Sequence, residues 1–187
     1  MIRLKHYKYT ENKDFVKRVY ENSFPLSERF DFAILKQCDS EQNVHLSCIE
    51  QDDIPVGMQF TIDMPNDLTY LMYFAIDKEY RNQMIGSKAL QNLIVSRDKI
   101  MLCIENPDRE LAIRRKAFYL RNGLFETGII FEDTGILYEV LISDKDYKPT
   151  VQDLRSRYQC MTSNKLIWRK IRNTFNTEDI NFITYVG

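Results

Sequence analysis

The run Leu71-Met72-Tyr73-Phe74-Ala75-Ile76 constrains this chain more than any other. It is nearly all apolar, and it opens directly into Asp77-Lys78-Glu79-Tyr80-Arg81-Asn82-Gln83-Met84-Ile85-Gly86-Ser87. A strand apolar on both faces has to be covered on both faces, which places it at the centre of a sheet packed between helices. Beyond the loop, Ala89, Leu90, Leu93 and Ile94 recur at helical spacing. Strand, short loop and helix in that order make an anion site. The loop and first helical turn point unpaired backbone N–H groups at one spot, and the helix start adds partial positive charge. A pyrophosphate fits that description. Gly86 lets a ligand approach the backbone closely, and Arg81 supplies a charged donor beside it.

The surrounding chain reads as one α/β unit with a tail. Val44–Glu50, Ile54–Met64 and Leu68–Ile76 form an antiparallel meander, separated by turn signals at Asp52-Asp53 and Pro65-Asn66-Asp67. Upstream, Ile2, Leu4 and Tyr7 suggest a first strand. Thr10 or Asn12 is placed to cap a helix with Phe15, Val16, Val19 and Tyr20 on one face. A loop at Ser23–Arg29 leads to a short helix from Asp31 to about Cys38. Downstream, Ile100–Ile104 is a buried strand ending in Glu105. Asp108 is the expected N-cap of a helix through Asn122, which Gly123 stops. Ala112, Arg115 and Tyr119 share one stripe of that helix, and strands Ile129–Phe131 and Ile136–Ile142 complete the sheet.

Several function classes are excluded by composition. The chain has 187 residues, 44% of them hydrophobic, enough for one domain with a sizeable core. Its 26 Lys and Arg against 27 Asp and Glu leave a net charge of −1, so no global field draws in nucleic acid or an anionic membrane. Cys38, Cys48, Cys103 and Cys160 are scattered without a CxxC pair, which argues for reduced thiols in a cytoplasmic protein and against a metal site. The N-terminus lacks the apolar core of a signal peptide. Nowhere do about 18 apolar residues run together as a membrane span needs.

Two motifs now resemble the GNAT superfamily of N-acetyltransferases, over roughly residues 1 to 148. Arg81-Asn82-Gln83-Met84-Ile85-Gly86 matches the family's Arg/Gln-x-x-Gly-x-Gly/Ala pyrophosphate motif, with Met84 in place of the first glycine. Phe118-Tyr119-Leu120-Arg121-Asn122-Gly123-Leu124 looks like its aromatic-Tyr-x-x-x-Gly-Phe segment, with Leu124 in place of Phe. The resemblance implies an α/β (α+β) fold: a mixed, mostly antiparallel central sheet, splayed between two middle strands, with helices on both faces. Pantetheine of acetyl-CoA would lie in the splay and hydrogen-bond to Phe74 and Ile76. The backbone of Gln83, Met84, Ile85, Gly86 and Ser87 would receive the pyrophosphate, with Arg81 alongside.

By the same resemblance the chemistry is direct attack of an amine on the thioester, which needs a base for the amine and an acid for the departing thiolate. Tyr119 is the candidate acid, because a phenol is protonated at neutral pH. The central strand carries no carboxylate where many relatives place one. Glu105, at the end of the neighbouring strand, is the first candidate base, with an ion pair to Arg114 or Arg115 as its plain structural reading. Phe24 and Glu28, in the loop that lines the acceptor pocket of similar proteins, would face a small-molecule or peptide amine, with a solvated loop charge as the plain reading of Glu28. The alternative is a non-catalytic acyl-CoA sensor or interaction module. Residues 149–187 form an extension expected to pack on the core or on a second subunit. Asn164–Phe175 is its helical segment, and Phe182–Val186 is an edge strand, in cis or across a homodimer.

Overall fold

The computed structural model of the chain describes residues 1–107, 109–133, 135–174 and 181–184. The strands are β1 (Ile2–His6), β2 (Val44–Gln51), β3 (Ile54–Met64), β4 (Leu68–Ile76), β5 (Lys99–Glu105), β6 (Phe125–Asp133), β7 (Ile136–Ile142) and β8 (Asn181–Thr184). They form one sheet in the order β1-β2-β3-β4-β5-β7-β6-β8. Asp52 and Asp53 join β2 to β3, and Asn66 and Asp67 join β3 to β4, all four at positive φ. That is the backbone of the tight turns whose twist matches antiparallel strands, and Asn and Asp tolerate it best after glycine.

All neighbouring strands run antiparallel except β4 and β5. Those two are parallel and register at only three positions, Leu68 with Lys99, Thr69 with Ile100 and Tyr70 with Met101. Beyond Tyr70 they part, while β5 stays paired with β7 as far as Glu105. The splay is therefore present, between the expected strands.

Helices cover both faces. On one side α1 (Lys13–Ser23), α2 (Phe32–Cys38), α5 (Val151–Gln159) and α6 (Lys165–Thr174) share a core with the sheet, through Tyr20, Leu35, Leu154, Tyr158 and Ile171 among others. On the other, α3 (Ile85–Ser96) and α4 (Glu110–Arg121) bury Leu90, Leu93 and Tyr119 against Leu71, Leu102 and Ile104. Among the described residues no helix is long and apolar enough to cross a membrane. Cys38 and Cys48 are buried and Cys103 and Cys160 half-buried, all as free thiols.

Local departures from expectation have local causes. β1 stops at His6, with Leu4 43% exposed and Tyr7 in a short 3-10 turn. Asn12 is the N-cap residue of α1 but makes no side-chain cap bond; Thr10 Oγ instead accepts from the Asn12 N–H at 3.1 Å. Asp31 sits one residue outside α2 and caps it through the Ala33 N–H at 2.8 Å. β6 is longer than the alternation suggested, because a register shift between Glu126 and Ile130, with Gly128 at φ 78°, breaks the period. Asp108, the expected cap of α4, lies outside the described residues, as do Phe175, Tyr185 and Val186. Helix α5 was not foreseen: Thr150 and Asp153 form a reciprocal capping box at its start. β8 pairs with β6 of the same chain, so the terminal strand extends the sheet in cis.

One glycine is fixed by a close approach. A Cβ on Gly57 would collide with the Ala75 carbonyl oxygen and lie 2.8 Å from Ile76 Cδ1. Gly57→Ala is expected to lower stability by about 1–3 kcal/mol, the usual cost of overpacking. A urea titration checks this, as a lowered midpoint at unchanged slope.

Candidate active site

Backbone alternation sets the first part of the site. Asp77 N–H donates to the Val56 carbonyl of β3 at 2.9 Å, so alternate residues of β4 bond to β3 and the intervening ones face the other way. Phe74 and Ile76 are intervening residues, and their amide groups face the gap where β5 has turned aside. Arg81 Nε already donates to the Ile76 carbonyl at 2.9 Å. Phe74 N–H and C=O and Ile76 N–H are then the groups that an added strand-like ligand would meet.

The loop after β4 is tied down and bent. The buried Asp77 carboxylate accepts from Glu79 N–H at 3.1 Å and pairs with Arg18 of α1 at 2.8 Å. Gln83 Nε2 donates to the Glu79 carbonyl at 3.1 Å, so this residue offers its backbone, not its side chain. Asn82 and Met84 are both left-handed, at φ 62° and 59°. Met84 therefore stands in a conformation that suits glycine, which explains the glycine at this place in the motif it resembles.

Helix α3 makes its first bond from Lys88 N–H to the Met84 carbonyl at 3.0 Å. The N–H groups of Ile85, Gly86 and Ser87 precede that bond and lie at the positive end of the helix. A Cβ on Gly86 would sit 3.4 Å from Ile76 Cγ1 and 3.5 Å from Phe118 Cζ, ordinary contacts, and φ is not positive there. The fold itself would accept alanine at Gly86. The bare backbone is of use to a ligand, and the donor set suits a pyrophosphate. Beside it Phe118 packs parallel to Phe74, ring centres 6.4 Å apart, under the Arg121 guanidinium.

A continuous cleft of about 1070 Å³ runs from Arg81 and Ser87 through the β4–β5 gap to the opposite face, where it meets Phe24, Glu28 and Tyr138. Glu105 and Tyr138 are direct cross-strand partners there. The Glu28 loop is held by β4: Tyr73 Oη donates to the Glu28 carbonyl and accepts from Phe30 N–H, both at 3.3 Å, and the Phe24 ring meets Tyr73 edge-on at 4.8 Å.

The loop and the strand thus bring two carboxyl groups together. Burial, the charge of Glu105 and a hydrogen bond with it raise Glu28 to about 7, against an opposing pull from Arg115. Arg115 Nη1 lies 3.4 Å from Glu105 Oε2, so the ion-pair reading of Glu105 holds with Arg115 as the partner. Tyr119, 8% exposed, also lines the cleft. Burial pushes its phenol up to about 12, with Arg115 pulling the other way. One guanidinium therefore acts on both the candidate acid and the carboxylate pair.

Sequence reasoning named Tyr119, Glu105, Glu28 and Phe24 but had no reason to join Glu28 to Glu105. It missed Tyr73, which holds the loop, and Tyr138, whose only sequence signal was its position on a strand. It also missed Arg157 and Tyr158 of α5, which reach the same cleft.

Comparison with known proteins decides the family. The acetyltransferase (GNAT) family pattern matches residues 10–123, more than half of the chain. This chain is a member of the GNAT family. Comparison with curated proteins finds no sequence match. Among solved structures, a GNAT-family protein from Bacteroides thetaiotaomicron is 21% identical, with a TM-score of 0.62 over 76% of this chain and 85% of that one. An aminoglycoside 6'-N-acetyltransferase complexed with coenzyme A is 15% identical, with a TM-score of 0.62 over 80% and 99%. A GNAT acetyltransferase from Elizabethkingia anophelis with acetyl-CoA bound is 13% identical, with a TM-score of 0.55 over 77% and 97%. Identities this low establish the shared fold.

The left-handed Met84 is open to a direct test. A non-glycine residue in this conformation costs about 1–2 kcal/mol, and glycine gives back about 0.4–1 kcal/mol through the looser unfolded chain. Met84→Gly is therefore expected to stabilise the GNAT domain by a few tenths to about 1 kcal/mol, read from chemical denaturation without ligand. An unchanged or lowered midpoint would remove the strain argument.

Proposed function

We propose that this GNAT acetyltransferase moves an acetyl group from acetyl-CoA to a primary amine by direct attack, with Glu28 as base and the Tyr119 hydroxyl as hydrogen-bond donor to the departing sulfur. The observation that carries the proposal is the Glu28–Glu105 pair at the open end of the β4–β5 gap. Acetyl-CoA supplies an activated acyl group as a thioester. Phe74 and Ile76 align its pantetheine arm, and the N–H groups from Gln83 to Ser87, with Arg81, receive its pyrophosphate.

The acceptor enters as an ammonium, drawn to the carboxylate pair. A carboxyl near 7 is about half ionised at neutral pH and is a stronger base than an ordinary glutamate. Glu28 takes one proton from the ammonium, the freed nitrogen bonds to the acyl carbon, the carbon–sulfur bond breaks, and the second proton shed by the nitrogen goes to the departing thiolate, which leaves as the thiol of coenzyme A. Glu105 keeps Glu28 basic through its charge and a hydrogen bond, and the Arg115 guanidinium pairs with Glu105 beside it.

Tyr119, at about 12, stays protonated throughout and always has a hydrogen to offer. Full transfer to a thiolate whose acid lies near 8.5 is uphill by about 5 kcal/mol. Its main contribution is thus a hydrogen bond to the developing sulfur charge. The sensor alternative leaves the raised carboxyl of Glu28 without a use.

Calorimetric titration with acetyl-CoA is expected to show binding that an Arg81→Ala, Gly86→Glu variant loses while still folded. No heat from folded wild type overturns the cofactor reading. Tyr119→Phe should keep acetyl-CoA affinity and lose rate; unchanged turnover removes Tyr119 from the mechanism.

A pH series tests the base. An ionised base is needed, so kcat/KM should rise with pH through a limb near 7. Glu28→Gln should lower the rate by about 10²–10⁴-fold. Glu105→Gln removes the repulsion and the hydrogen bond that raise Glu28, so the limb should move to lower pH and survive. Abolition of the limb by Glu105→Gln would make Glu105 the base instead.

A further inference from the structure

Past the carboxylate pair the cleft continues as a narrow chamber on the face covered by α1 and α5. Its walls are Phe30, Tyr70, Cys103, Phe131, Arg157 and Tyr158. Along the sheet it ends where β4 and β5 close on each other again at Tyr70 and Met101, and α5 supplies its floor with Arg157 and Tyr158. Cys103 lies on β5 two residues from Glu105, on the same face of the strand. The chamber therefore leads inward from the place where an ammonium would be held.

The inner charges are directed at each other. Arg157 Nη2 bonds to Asp133 Oδ2 at 2.8 Å, and both side chains are 2% exposed. Tyr158 Oη donates to the same carboxylate oxygen at 3.0 Å, and Arg157 Nη1 donates to the Leu154 carbonyl. The guanidinium packs against the rings of Phe131 and Tyr158, 5.0 Å and 4.4 Å from their centres. Such a desolvated pair is electrically neutral towards a ligand, and detaching either partner to meet a substrate charge would cost several kcal/mol. Tyr70, Tyr158 and Cys103 are likewise held as neutral groups, since burial raises all three.

We propose that the acceptor is a compact arylalkylamine or similar primary amine with an uncharged, apolar body, and that α5 sets its length by supplying the chamber floor. This rests on the acetyl-transfer reading above. The amine sits at Glu28 and Glu105, and its body lies inward among aromatic rings that reward apolar and aromatic surface. A second ammonium would be buried without a counter-charge. A carboxylate next to the amine would be repelled by the glutamate pair, and an extended polypeptide meets the floor made by Arg157 and Tyr158. Both floor residues lie beyond residue 123, outside the stretch that matches the family pattern.

The test measures thiol release from acetyl-CoA with 2-phenylethylamine, ethylamine, spermidine, glycine and a hexapeptide with a free N-terminus. The expected result is a kcat/KM for 2-phenylethylamine at least tenfold above those for spermidine, glycine and the peptide. Cys103→Phe, which fills the chamber, should lower kcat/KM for 2-phenylethylamine relative to ethylamine by tenfold or more. Its Kd for acetyl-CoA, by calorimetry, should stay within twofold of wild type. Cys103→Leu should do the same to a smaller extent and serves if the phenylalanine variant does not fold.

Preference for spermidine, glycine or the peptide overturns the proposal, as does an equal effect of both variants on the two monoamines. Acetyl-CoA binding without turnover of any of these amines overturns it too, and leaves the cofactor site standing. Absence of acetyl-CoA binding by folded protein takes down the acetyl-transfer reading itself.

Discussion

The site depends on one constraint, that backbone N–H and C=O groups in a sheet need partners. Strands β4 and β5 satisfy that need for three registered positions and then diverge. From Leu71 onward β4 is bonded on one side only, and the groups of Phe74 and Ile76 face a gap. A buried strand edge of this kind is costly unless something completes it. The rest of the molecule keeps the two strands apart at this point. β5 is held by β7, β4 by β3, and α3 and α4 pack across the opening, with Phe118 against Phe74. The same divergence joins the two faces of the sheet, so a ligand entering on the α3 side can present its end to groups on the α1 side.

Electrostatics in the gap is organised around few charges. Arg115 lies beside Glu105, tempers Glu28 and lowers the phenol of Tyr119. Burial is the largest influence on Glu28, followed by the charge and hydrogen bond of Glu105, with Arg115 opposing them. Further in, Arg157 and Asp133 form a buried ion pair. The cleft thus has one place where a proton is exchanged easily, with neutral surroundings beyond it.

Much of this was legible in the sequence, because it was written in local patterns. The apolar run Leu71–Ile76 announced a central strand, Gly86 and Arg81 announced the helix-start site, and Tyr119 stood on a helical stripe with Arg115. Contacts between distant segments were not legible. Glu28 looked like a solvated loop charge, and only the fold places it against Glu105. The Ile76 carbonyl looked free, and only the path of the Arg81 side chain shows it engaged. Helix α5 is a different case. Its signal, Thr150 followed three residues later by Asp153, was present and local, but Pro149 and the weak apolar period of the segment masked it. The length of β6 was hidden by a bulge, which breaks the two-residue period that strand reading relies on.

The position of α5 along the chain has a consequence during synthesis. Chains fold from the N-terminus as they emerge, domain by domain or in smaller units. The helix-start loop and the two strands of the splay all lie before residue 123, whereas β7, which holds β5, and Arg157 and Tyr158 of α5 emerge later. A growing chain reaches a stage at which the helix-start loop is out while β5 still lacks its antiparallel partner and the opposite half of the cleft is open. The Arg157–Asp133 contact then joins α5 to the β6–β7 hairpin, so the step that docks this helix also fixes how deep the finished cleft is.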